Sequence, residues 1–117
     1  MSATGTDIRG TWLCGDAYEL APVGELDLHD APALERALRE AEASGARRAL
    51  LDLTAVPFVD STILGVIVGA AQRLVLVLAV EDVRVLRVFQ ITGLDRKLRV
   101  ERSRAEAVAR LAVRRAA

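Results

Sequence analysis

At 117 residues the chain has room for one compact domain. Its 52% hydrophobic content excludes wholesale disorder, and aromatics at only 3% demand an aliphatic core and argue against a stacking platform for single-stranded nucleic acid. A formal net charge of zero removes the usual electrostatic case for nucleic acid, yet charge is polarised: residues 1–60 carry 11 acids against 5 bases, and residues 61–117 carry 5 against 11.

In chain order, residues 1–7 read as a small, polar, flexible N-terminus and the domain as residues 8–117. Trp12-Leu13-Cys14 and Tyr18–Ala21 are short strand candidates separated by the turn signal Gly15-Asp16, hence a hairpin. Cys14, the sole cysteine, permits no internal disulfide and reads as a small core residue in a strand. Asp30 suits an N-cap with Pro32 in the first turn; Leu34, Ala37, Leu38 and Ala41 form one apolar stripe, and Gly45 is a natural stop. Ala49–Leu53 is a continuous apolar run, as in a strand covered on both faces.

Pro57 disfavours helix just before it, while Asp60 and Ser61 both suit a helix start. The apolar stretch beyond reads as a buried helix, with Gly65 and Gly69 easing close packing. Leu74–Val80 reads as a buried strand. This leaves a residue or two between a helix ending near Arg73 and a strand beginning near Leu76, unless the helix ends earlier. Glu81-Asp82 opens a helix bearing Val85, Leu86 and Phe89, ended by Gly93; Leu98–Glu101 is a short edge strand; Ser103 with Glu106 is a capping-box pattern for a last helix ending near Val113. Strand–strand–helix followed by strand–helix alternation predicts an α/β fold: a mixed, mostly parallel sheet with an N-terminal hairpin, packed by about four helices.

No catalytic set can be assembled, since His29 is the only histidine and no nucleophile is tied to it. No metal-ligand spacing of Cys and His exists, and no cofactor motif is present. The chargeless run Ser61–Ala71 falls far short of the roughly 20 residues that span a bilayer, and no secretory signal is evident, so a cytoplasmic protein without membrane insertion is expected.

Several stretches resemble, in the right order, the STAS domain family and within it the bacterial anti-sigma factor antagonists. These are Val23-Gly24-Glu25-Leu26-Asp27, Leu51-Asp52-Leu53-Thr54 with Val59-Asp60-Ser61-Thr62, and Ile91-Thr92-Gly93-Leu94-Asp95. The resemblance covers about residues 8–113. It implies a single STAS domain that is not an enzyme. When unphosphorylated it binds an anti-sigma factor carrying a Bergerat-type serine kinase domain, which frees a sigma factor. Phosphorylation at the serine after the signature aspartate, here Ser61, switches it off, and a phosphatase resets it. The expected partner surface is Asp27, Asp60, Ser61, Thr62 and Ile63.

Bland readings stand beside these. On local sequence alone Ser61 reads as an N-cap hydroxyl contributing about 1 kcal/mol, a reading that the family pattern reverses; Asp60 also reads as a competing cap, Thr62 as a first-turn structural residue and Asp27 equally as a turn former. Two departures from the family pattern, Ile63 in place of glycine and a missing Gly-rich loop before the fourth main strand, favour the alternative of a non-switching STAS adaptor in a lipid-transport ATPase or a stress-signalling complex.

Overall fold

The computed structural model describes residues 7–116, so the segment expected to be flexible lies outside it except for Asp7, which opens the first strand. In order the elements are β1 (Asp7–Trp12), β2 (Ala17–Val23), α1 (Ala31–Ala43), β3 (Arg48–Asp52), α2 (Ser61–Ala71), β4 (Val75–Ala79), α3 (Val83–Ile91), α4 (Leu94–Lys97), β5 (Arg99–Glu101) and α5 (Arg104–Ala116). The five strands lie side by side in sequence order. β1 runs antiparallel to β2, and every later pair is parallel, as the alternation of strands and helices requires.

Side-chain alternation along the strands divides the core between two faces. Leu20, Leu51, Leu76 and Leu78 point to one side, where they meet Leu34 and Leu38 of α1, Ile63 and Ile67 of α2, and Val85 and Phe89 of α3. Each such side chain, taken fully from water, stabilises the fold by about 1.5–3 kcal/mol. Leu50, Val77 and Ala79 point to the other side and pack on Ala107 and Leu111 of α5. That thinner layer is reinforced by ions. Arg104 grips the buried Glu19 of β2 with two bonds, 2.7 and 2.8 Å, and the buried Arg48 of β3 donates to Asp16 at 2.6 Å and to the Leu111 carbonyl at 2.9 Å.

Three sequence expectations change. β1 ends at Trp12, which leaves Cys14 exposed in the hairpin turn rather than in a strand. Its carbonyl takes the Ala17 N–H at 3.1 Å. The connection from α2 to β4 is ordinary, because the helix ends at Ala71 and Gln72, Arg73 and Leu74 make the turn. Arg73 fastens that turn to α1 through Glu42 at 2.9 Å. Gly65 and Gly69 do not serve close packing: an added Cβ at Gly65 would meet nothing within 4 Å, and at Gly69 only the Arg73 guanidinium at 3.7 Å. The single-turn helix α4 was not foreseen. It is one turn after Gly93, too short to show periodicity.

Candidate functional site at the carboxyl end of the sheet

The loops leaving β2, β3 and β4 gather at one end of the sheet, the end where open α/β folds bind partners and ligands. The β2 and β3 exits are locked together. Gly24 N–H donates to the Ala55 carbonyl at 3.1 Å, Leu26 N–H to the Phe58 carbonyl at 2.9 Å, and Leu26 and Val59 form a parallel bridge. Both bridge residues are buried, so the pairing is anchored in the core. One residue beyond each bridge partner come Asp27 and Asp60.

Asp60 has extended backbone angles (φ −108°, ψ −178°) and is the N-cap of α2; its Oδ1 accepts the Ile63 N–H at 3.1 Å. The cap therefore belongs to Asp60. Ser61 follows as the first helical residue, exposed, with Thr62 exposed beside it. The hydroxyl of Ser61 is not taken up by capping, and the amides of the first helical turn lie next to it with the positive end of the helix dipole. Asp27 is turn-forming: its Oδ1 accepts the His29 N–H at 2.9 Å, and its own N–H donates to Asp30 Oδ2 at 3.0 Å. Asp30 precedes α1 as expected, but its carboxylate reaches back to Asp27 rather than forward into the helix. His29 is exposed, with Nδ1 3.5 Å from Asp27 Oδ1.

Ile63 is a correction. It is fully buried, 0% exposed, so it offers nothing to a partner. The third position of a helix capped by Asp60 faces the sheet, and a β-branched side chain there fills core volume. The departure from the family pattern is thus absorbed inside the fold.

Residues not singled out from sequence complete the surface. Leu28 and Phe58 from the loops after β2 and β3, and Val83 at the first position of α3 after β4, are 58%, 48% and 67% exposed. Beside Phe58 lies a cleft of about 290 Å3 lined by Val59, Val85 and Val88, with Glu25 and Arg84 on its walls. Arg84 forks onto Asp82 at 3.0 and 2.7 Å, and these bonds, with the Arg84 N–H, pull the Asp82 carboxyl from 3.8 to about 2. Leu28, Phe58 and Val83 each directly follow an Asp or a Pro (Asp27, Pro57, Asp82), the one sequence signal that would have marked these positions. Among the described residues no group of three or more Cys, His, Asp or Glu is placed to hold a metal ion, and no helix is long and apolar enough to cross a membrane.

A mixed sheet with one antiparallel edge, helices on both faces and a serine exposed at a capped helix start make a small α/β domain. The chain belongs to the STAS domain family, whose model matches residues 15–107. It is 39% identical over 83 residues to the anti-sigma-B factor antagonist of Staphylococcus aureus, covering 66% of this chain and 76% of that protein. With the protein of the same name from Listeria monocytogenes the figures are 38% over 85 residues, 68% and 75%. A crystal structure of an anti-sigma factor antagonist from Mycobacterium paratuberculosis shares the fold with a TM-score of 0.79 at 23% identity, covering 91% of this chain and 92% of that one. The unphosphorylated form of the anti-sigma factor antagonist SpoIIAA matches with a TM-score of 0.69 at 17% identity, over 89% and 96%. The curated relatives are thus anti-sigma factor antagonists, and the solved structures share the fold.

Proposed function

We propose that this chain is a phosphorylation-switched anti-sigma factor antagonist. Unphosphorylated, it binds an anti-sigma factor that is also a Bergerat-type serine kinase, and the sigma factor is released. The kinase then modifies Ser61, the complex parts, and a phosphatase restores the starting state, all in the cytoplasm and with no catalysis by the chain itself.

The observation that carries this reading is the division of labour at the start of α2. Asp60 caps the helix and Ser61 does not. An exposed hydroxyl free of a capping role can be modified without unfolding the helix, and the adjacent amides and dipole accommodate an anion. Phosphate adds roughly −1.5 to −2 charge. It would do so beside Asp60, with Asp27 just past the Leu26–Val59 bridge and Glu25 and Asp82 on the neighbouring loops. A partner docked over Leu28, Phe58 and Val83 would have to desolvate that charge, a penalty of several kcal/mol, and each ~1.4 kcal/mol is tenfold in affinity. The names of the curated relatives support the partner class. SpoIIAA, which has this fold, has been solved in phosphorylated form as well.

The test is an affinity capture from lysate of the producing organism with wild-type and Ser61→Glu baits. A Bergerat-type kinase retained by wild type and lost by Ser61→Glu supports the reading. The same partner held equally by both baits overturns the switch.

A further inference from the structure

Away from the Ser61 end, β1 is an edge strand of the sheet with no outer neighbour among the described residues. It spans six residues, pairs only with β2 among the described residues, and carries a single Pro-free run, Asp7–Trp12. An exposed strand of this length is a template for another strand unless charge, bulges or a covering element block it. Its two faces differ. Asp7, Arg9 and Thr11 point to the α5 side, where Arg9 pairs with Asp7 at 3.1 Å. Ile8, Gly10 and Trp12 point to the α1 side, the side of Tyr18 and Leu20 in β2.

On that side α1 leaves β1 uncovered. A recess of about 290 Å3 remains, lined by Ile8, Trp12, Tyr18 and Leu20 from the sheet and by Ala37 and Ala41 from α1. Trp12 is 46% exposed and stands edge-on to Tyr18, with ring centroids 4.9 Å apart. Gly10 is required here by close approach: a Cβ would lie 2.4 Å from the Tyr18 hydroxyl oxygen. The aromatic ring thus lies over the glycine and floors the recess.

We infer that β1 pairs with β1 of a second copy, antiparallel, about a two-fold axis through Gly10. The register follows from the residues. A two-fold axis perpendicular to the sheet keeps each face with its like, so it must pass through a residue and not between two. Through Arg9 it would set the two guanidinium groups directly opposite, which is destabilising. Through Gly10 it sets Arg9 against Thr11 and Ile8 against Trp12, twice over. Each Trp12 then fills the recess beside the other copy's Tyr18 and α1, and the sheet becomes ten-stranded. Both Ser61 ends stay open, since they lie at the ends of the strands and not along this edge. Five paired residues per strand, Ile8–Trp12, bury less than the roughly 1,200 Å2 of a standard stable interface, so the dimer is weak, with a dissociation constant on the order of 100 μM.

Trp12 is the only tryptophan, so its fluorescence reports this edge alone. Sedimentation velocity and Trp emission are measured together from about 1 μM to 1 mM, bracketing that constant. The expected result is a monomer-to-dimer shift with a parallel blue shift of emission. Ile8→Lys abolishes both, with circular dichroism and thermal midpoint as folding controls. Trp12→Lys, at a half-exposed position, abolishes the sedimentation shift without touching the core. A monomer with concentration-independent emission at 1 mM overturns the inference. So does a dimer that survives both substitutions, because its contact lies elsewhere.

Discussion

Two adjacent residues with different tasks form the centre of the site. Asp60 holds the helix and Ser61 is available, so their substitutions should separate stability from binding. Asp60→Ala removes the cap from α2 and should cost about 1 kcal/mol of unfolding free energy in a denaturant titration. Ser61→Ala and Ser61→Glu should both unfold within about 0.5 kcal/mol of wild type, as surface changes do, while only Ser61→Glu loses partner affinity. Gly65 gives a contrasting case. It sits in a helix interior with helical φ and open space around it, so Gly65→Ala should raise stability by about 0.5–1 kcal/mol. A destabilised Gly65→Ala protein would show that the glycine answers a contact the monomer lacks. Thr62 is exposed next to Ser61 and forms part of the same proposed docking surface.

Elements show what was legible in the sequence and what was not. The apolar stripe Leu34–Leu38–Ala41 and its stop at Gly45 were legible because helix period and a left-handed glycine (φ 107°) are local signals. The capping Ser103, whose Oγ accepts the Glu106 N–H at 3.1 Å, was legible for the same reason. Whether Asp60 or Ser61 caps α2 was not legible, because both residue types suit the position and the choice depends on how the Leu26–Val59 bridge places the backbone. The burial of Ile63 follows from that choice and was misjudged with it. The ion pair of Glu19 and Arg104, 85 residues apart, leaves no trace in local pattern. Arg104→Ala leaves the buried Glu19 carboxylate without its partner and should cost about 1–3 kcal/mol, partly restored by adding Glu19→Gln. At the start of α3, Asp82 has a folded pKa of about 2 against 3.8. Its contribution to the cap is complete above pH 3.8 and disappears only as pH falls through about 2. An NMR titration should find its midpoint near 2 in wild type and nearer 3.8 in Arg84→Ala.

For the whole molecule, the charge asymmetry noted in the sequence is partly consumed by folding. Arg104 with Glu19 and Arg73 with Glu42 join the basic half to the acidic half. What remains at the surface is acidic at the Ser61 end, from the exposed Glu25 and the half-buried Asp27 and Asp60, and basic along α3, α4 and β5, from Arg87, Arg96, Lys97 and Arg99. A partner steered to the Ser61 end should therefore present cations, and its association rate should fall about tenfold or more between low and high salt. The measurement closest to the central claim is phosphopeptide mapping of the chain after incubation with the captured kinase and ATP, combined with rebinding of the modified protein. The account predicts one phosphate, on Ser61, and loss of rebinding with the fold intact. Phosphate on another residue, or a Ser61-phosphorylated chain that still binds with full affinity, would contradict it.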